Sequence, residues 1–247
     1  MPRTAAPRSA APRPAAAAIE LLQQNSLTSL VQREIERQIV SGELAAGAKL
    51  NEADVAGGLG VSRGPVREAF RALEQAGLVR TEKNRGVFVR QVSIEEADEI
   101  YEVRAALERM IGRLAAQRIR PERIERIRAV VKKMHAVGRT RDATAYFPLN
   151  VEFHELLAEA AGNKTLLRNY RRIVNELHLY RRETLARSAE NIPISTQDHA
   201  AILDAVARRD AAQAGELLFT HVIDSRERLH KALANAHAPA AKPVRVA

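Results

Sequence analysis

Apolar residues recur at helical spacing along most of the chain, and the breaks in that rhythm mark its joints. Between residues 27 and 41, Leu30, Val31, Ile35 and Ile39 fall on one helical face, and Gly42 ends the helix. Gly47 to Leu50 reads as a short extended link. Asn51 caps a helix over 52–59 that Gly60 closes, and Ser62 caps another over 63–76 that Gly77 closes. Val66, Ala69, Phe70 and Leu73 point inward from the latter. The paired glycines Gly57 and Gly58 each cost roughly 1 kcal/mol relative to alanine inside a helix, which predicts a loose second helix. After Gly77 the runs shorten. Leu78–Thr81 and Gly86–Arg90 are strand-like, and Lys83–Gly86 forms the turn between them. The order is three helices and a hairpin.

From residue 93 onward the pattern is wholly helical. Ser93 and Glu96 form a capping box, and later starts are signalled by Pro121, Asp142, Asn163, Ser195 and Asp210. Six helices are predicted near 94–117, 121–137, 142–161, 164–190, 195–208 and 210–235. Residues 1–18 and 237–247 are rich in Ala, Pro and basic residues, which predicts disordered ends. The acid-free start could pass for an organelle transit peptide, but Pro2, Pro7, Pro12 and Pro14 prevent the amphipathic helix that role needs. The expected fold class is mainly α: an N-terminal winged helix-turn-helix over 19–92, then an all-α antiparallel bundle over 93–236.

Composition narrows the function classes. A net charge of +9 favours a polyanionic partner. The charge is spread, net +4 up to residue 92 (13 basic against 9 acidic residues) and +5 beyond it, so a DNA-binding role must rest on motifs. The chain has no cysteine, which excludes disulfides and Cys-based zinc sites and fits a cytoplasmic location. No apolar run of about 18 residues is present, so no membrane partner is expected.

The segment from Val55 to Val79 has the layout of a DNA reader. The helix starting at Ser62 buries one face and leaves Ser62, Arg63, Gly64 and Arg67 on the outer side of its first turns. Those positions enter the major groove in a helix-turn-helix. Arg63 can present its guanidinium fork to guanine O6 and N7, a contact that contributes about 1–3 kcal/mol of base discrimination. Arg67, one turn on, reaches a phosphate or a second base, and Gly64 lets the backbone come close. In the hairpin turn, Arg85 suits a narrow minor groove and Gly86 permits a tight bend. Arg71 and Arg80 read as solvated charges.

Three histidines occupy apolar helical faces. His154 follows Phe147 and Val151 at helical spacing, with Asn150 one turn before it. His199 shares a face with Ile202, Leu203 and Val206, and His221 with Leu217, Leu218 and Val222. Single histidines of this kind are usually satisfied within the core. Converged in a bundle, they and the Asn150 oxygen would form an N/O set suited to a divalent ion such as Zn²⁺, Ni²⁺ or Mn²⁺.

Two ordered sets of residues carry a family resemblance. Ile39–Gly42, Gly47–Leu50, Gly60–Arg63, Pro65–Ala69, Gly77–Val79 and Arg85–Val87 resemble the winged helix-turn-helix of the GntR family of bacterial regulators. Glu102–Glu108, Asn150–His154, Ala161–Asn163, Asp198–Ile202 and the helix bearing His221 resemble the FCD ligand-sensing domain of its FadR subfamily. The resemblance implies DNA contacts at Arg63, Arg67 and Gly86. It also implies a metal on Asn150, His154, His199 and His221, with Asn standing where Asp is common. In that family a small organic acid usually binds beside the metal. Arg104 is then a candidate carboxylate clamp, or equally the partner of an internal salt bridge. Tyr170, Asn175, His178 and Arg181 are further candidates for lining the cavity.

The resulting expectation is a homodimeric transcription regulator, mostly repressing. It would bind a palindromic duplex operator and lose DNA affinity when a small carboxylate binds near the metal. Two rivals stand beside it. A metal-dependent hydrolase would need a general base, and Glu152 and Glu155 fall off the inward stripe. A sequence-blind nucleic-acid protein would rely on the Arg-rich arm instead.

Overall fold

The computed structural model describes residues 26–187 and 189–237, with side chains outside 178–187, 232, 233 and 235–237. The expectations for residues 1–18, for the tail beyond 237 and for the His178 and Arg181 side chains lie outside that range. The chain divides between Val89 and Arg90 into two compact units.

In the first unit, α1 (Leu27–Ser41) starts on Ser26, whose hydroxyl accepts from the Ser29 N–H, and ends on Gly42 in the left-handed region. Val31, Ile35 and Ile39 are its buried stripe. Leu30, expected on that stripe, is half exposed, because it lies about 100° around the helix from Val31. Next come β1 (Lys49–Leu50), α2 (Glu52–Leu59), α3 (Arg63–Gln75), β2 (Val79–Glu82) and β3 (Gly86–Val89). The Asn51 side chain caps α2 through the Ala53 N–H, and Gly60 closes it in the left-handed region. Gly57 and Gly58 do not interrupt it. The extended link of the sequence reading is strand β1, and the sheet is antiparallel in the order β1-β3-β2. Lys49 pairs with Phe88 and Val79 with Val89. Val66, Ala69, Phe70 and Leu73 of α3 join the α1 stripe, Leu50, Leu78, Val79 and Val89 in the core.

The second unit contains, among the described residues, six helices: α4 (Ile94–Arg118), α5 (Pro121–Thr140), α6 (Ala143–Ala160), α7 (Lys164–Arg187), α8 (Ile192–Ala207) and α9 (Ala211–His237). Ser93 accepts from the Glu96 N–H, but the capping box is half formed, because the Glu96 carboxylate is drawn off to Arg90. Asp142, Asn163 and Asp210 each accept from backbone N–H groups at the next helix start. Ser195 does not start a helix. A 3₁₀ turn over Ala189–Asn191 leads directly into α8, with Pro193 in its first turn, where a missing N–H costs nothing.

Apolar side chains of this unit form two clusters. The larger runs from Ile111 on α4 through α5, α6 and α8 to Leu218 on α9. The smaller holds Ala97, Ile100, Tyr101, Ala105, Leu177, Val222 and Leu229. On α4, Glu108 lies in the chain between Ala105 of the smaller cluster and Ile111 of the larger, and on α9 His221 falls between Leu218 and Val222. The polar centre of the unit therefore sits at the seam. Helices α4 and α9 meet at small residues: a methyl on Gly112 would lie 2.5 Å from the Ala214 carbonyl oxygen.

Candidate functional site

In the first unit, α3 faces solvent with the residues the sequence singled out. Ser62 is its N-cap, in extended conformation, and its hydroxyl makes no cap hydrogen bond. Arg63 and Gly64 are exposed, and nothing lies within 4 Å of a methyl placed on Gly64. Arg67 is exposed but engaged: its guanidinium donates to the Glu52 carboxylate at 2.9 Å. On the hairpin turn, Arg85 pairs with Glu82 at 2.5 Å, and its guanidinium lies 5.7 Å from the Phe88 ring centroid. Gly86 adopts φ 111°, which a side chain rarely tolerates, and a methyl there would press on Lys49 Cε at 3.2 Å. The wing bend therefore needs glycine.

In the second unit the three histidines converge. His154 on α6, His199 on α8 and His221 on α9 are all buried, and one ring nitrogen from each lies within 4.8 Å of the others. The Nε2 atoms of His154 and His199 are 3.2 Å apart. Two imidazole nitrogens each about 2.1 Å from one ion lie about 3.0–3.4 Å apart at tetrahedral or octahedral angles, so this spacing suits a shared cation.

Each Nδ1 faces the other way, toward an acceptor. His154 Nδ1 donates to Glu108 Oε2 at 2.7 Å, His199 Nδ1 to the Ser195 carbonyl at 2.5 Å, and His221 Nδ1 to Asp198 Oδ2 at 3.1 Å. With the proton on Nδ1, Nε2 is the ring nitrogen that can ligate a metal. Burial, and then the neighbouring histidines, push the His199 pKa well below the ordinary range; burial and His154 do the same at His221. Both rings are therefore neutral and ready to ligate. Asn150 is buried one turn before His154, and its amide nitrogen has no hydrogen-bond partner. Three buried imidazoles with ring nitrogens converging within 4.8 Å fit a divalent cation.

The inward stripe of α6 is Tyr146, Asn150, Phe153, His154 and Leu157, whereas Phe147 and Val151 are only half-buried at its edge. Arg104 is buried, and both Nε and Nη2 donate to Glu108 Oε1, at 2.9 and 2.7 Å. It thus forms the internal pair, while its Nη1 is buried with no partner. Burial alone would raise the Glu108 carboxyl. The charges of His154 and Arg104 and their hydrogen bonds outweigh that and hold it well below the usual carboxylate range. Glu108 and Asp198 are the residues that sequence reasoning missed. The Arg104/Glu108 spacing of four was the visible signal for the first.

Residues 27–89 match the bacterial regulatory proteins of the gntR family, and residues 99–224 match the FCD domain. The chain belongs to the GntR family. A protein of Paenarthrobacter nicotinovorans named as a D-xylose utilization operon transcriptional repressor is 32% identical over 208 residues, 83% of this chain and 90% of its own. The HTH-type transcriptional repressor NanR of Cronobacter sakazakii is 28% identical over 81% of this chain and 84% of its own. A solved GntR transcriptional regulator from Rhodococcus sp. RHA1 superposes with a TM-score of 0.69 at 27% identity, covering 84% of this chain and 99% of its own. This GntR protein is thus a transcriptional regulator with a small helix-turn-helix unit and a helical FCD unit. Its family and relatives are regulators rather than enzymes. No described helix is long and apolar enough to cross a membrane.

Proposed function

We propose that this GntR protein is an operator-binding homodimer, repressing by default, that releases a palindromic DNA site when a small carboxylate binds in its FCD unit. The observation that carries the DNA half is α3. Val66, Ala69, Phe70 and Leu73 fix one face in the core, and Arg63, Gly64 and Arg67 stand free of it on the other. A rigid helix with basic residues on the outer side of its first turns reads base edges in a major groove. Ser62 and the helix N-terminus meet a phosphate, and Arg85 and Gly86 place the wing against the minor groove. Relatives named as repressors support the direction of regulation.

Asn150, His154, His199 and His221 are the proposed ligands of a divalent ion, Zn²⁺, Ni²⁺ or Mn²⁺. When bound, the ion supplies a positive charge that anchors an anionic effector. An amide oxygen and three imidazole nitrogens bring no negative charge to the ion. The two nearby carboxylates are already countered, Glu108 by Arg104 and Asp198 by Arg228, whose Nη2 lies 3.8 Å away. The positive charge of the loaded site therefore lacks a balancing anion, which favours a carboxylate over a neutral sugar. Arg104 offers it the NH2 group of Nη1, while Glu108 holds Nε and Nη2. Among the described residues, Glu108 has both oxygens engaged, Glu155 pairs with Arg171, and Glu152 lies 3.8 Å from Arg126.

Genomic footprinting of the purified protein tests the reading. It should protect short inverted repeats, and Arg63→Ala should weaken that protection by about 5- to 150-fold, matching about 1–3 kcal/mol, with the fold intact. Unchanged protection by the variant would remove α3 as the reader.

A further inference from the structure

We infer that Glu108 and Asp198 are the positioning residues of the histidine centre: each holds the Nδ1–H of one ring and so turns that ring's Nε2 toward the common point. The inference rests on the metal reading above.

An imidazole can present either nitrogen, and rotation about its last torsion exchanges their places. An anionic acceptor at Nδ1 stops that exchange and makes Nε2 a stronger donor to a metal. The three rings are not fixed alike. His199 is held by the carbonyl of Ser195, one turn earlier on its own helix, so α8 itself sets its orientation. His154 and His221 depend on side chains from other helices. Glu108 reaches His154 from α4, and Asp198 reaches His221 from α8.

The two supports differ in stiffness. Glu108 is buried. Its Oε1 takes two N–H groups from Arg104, which leaves Oε2 aimed at His154 at 2.7 Å. Asp198 is 30% exposed, and its Oδ2 accepts from His221 at 3.1 Å. Asn150 raises the importance of both. An amide oxygen brings no charge to the ion, so the basicity of the imidazoles is the main lever on affinity left to this chain. The effect of losing Glu108 should therefore exceed that of losing Asp198.

The test uses the full chain with Co²⁺ as probe, titrated against a chromophoric chelator. Asp198→Asn removes one support. Glu108→Gln alone would strand the buried Arg104 cation, so it is paired with Arg104→Met. Co²⁺ binding should weaken by about 10- to 100-fold in each, more in the double variant, with shifted visible absorption bands and an unchanged helical circular dichroism spectrum. Asp198→Glu, which keeps the charge, should recover much of the loss. Long-range ¹H–¹⁵N spectra of the metal-free natural chain should show the proton on Nδ1 of all three rings. That measurement decides the matter even if the double variant does not fold. Variants that hold Co²⁺ within twofold of the natural chain, with the same bands, overturn the inference, as does an Nδ1 of His154 or His221 that carries no proton. A natural chain that binds no Co²⁺ overturns the metal reading and this inference together.

Discussion

Arg67 shows how much a single residue's role depends on its neighbours. Its spacing places it one turn beyond Arg63 on the DNA-facing side of α3, yet its guanidinium rests on Glu52 of α2. The pair is largely exposed, and such pairs contribute little, so a phosphate can compete for the guanidinium. If Arg67 contacts a phosphate, Arg67→Ala should weaken operator and random duplex alike and lower the salt slope of binding by about 0.9; a loss confined to the operator would assign it to a base instead. The histidines carry a different consequence. Burial and mutual proximity lower the His199 and His221 pKa values, so the unfolded chain binds more protons than the folded one. The stability these rings contribute is fully present above the ordinary histidine value of about 6.5 and is lost as pH falls from there toward their folded values. Glu108, held low, acts in the same direction at more acid pH. The metal-free protein should therefore melt at a lower temperature at pH 5.5 than at pH 7.5. Equal melting temperatures would mean that these rings are not buried as neutral groups.

At the scale of elements, helix boundaries were legible wherever a cap signals locally, because a cap is a contact between near neighbours in the chain. Asn51, Asp142, Asn163 and Asp210 all accept from N–H groups two or three residues ahead. Strand β1 was not legible as a strand, because its partner lies on β3, where Lys49 meets Phe88. The outer carboxylates were hidden for a similar reason. Glu108 and His154 are 46 residues apart, and Asp198, next to His199 in the chain, serves His221 instead, since adjacent helix residues point about 100° apart. The glycines of α2 and α4 look alike in sequence and differ in packing. A methyl on Gly57 meets nothing within 4 Å, whereas one on Gly112 would collide with the backbone of α9. Gly57→Ala should stabilise its unit by about 0.5–1 kcal/mol through helix propensity, and Gly112→Ala should destabilise its unit by about 1–3 kcal/mol or more through overpacking. Urea melts of the two variants check both signs, and a neutral Gly112→Ala would show that α4 and α9 can part at no cost.

Across the whole molecule, chemistry is divided between two compact units: basic side chains that face outward on the first, and a polar centre enclosed by apolar clusters on the second. The outward residues could be read from the sequence because a helix buries one face and exposes the other. The enclosed centre could be read only in part, since convergence of α6, α8 and α9 is a property of the assembled bundle. This division has a thermodynamic consequence. A ligand that binds only the folded state stabilises what it binds by RT ln(1 + [L]/Kd), about 4 kcal/mol at a thousandfold excess over Kd. For a helical unit of this size that corresponds to a rise on the order of 10 °C in its transition. Calorimetry of the full chain should show two transitions, and Leu73→Ala, which opens a cavity in the first core, should lower one of them and so identify it. Excess divalent metal should raise the other and leave the first in place, and a chelator should reverse the change. A rise of the Leu73-sensitive transition alone would put the ion on the DNA-binding unit and remove His154, His199 and His221 as its ligands.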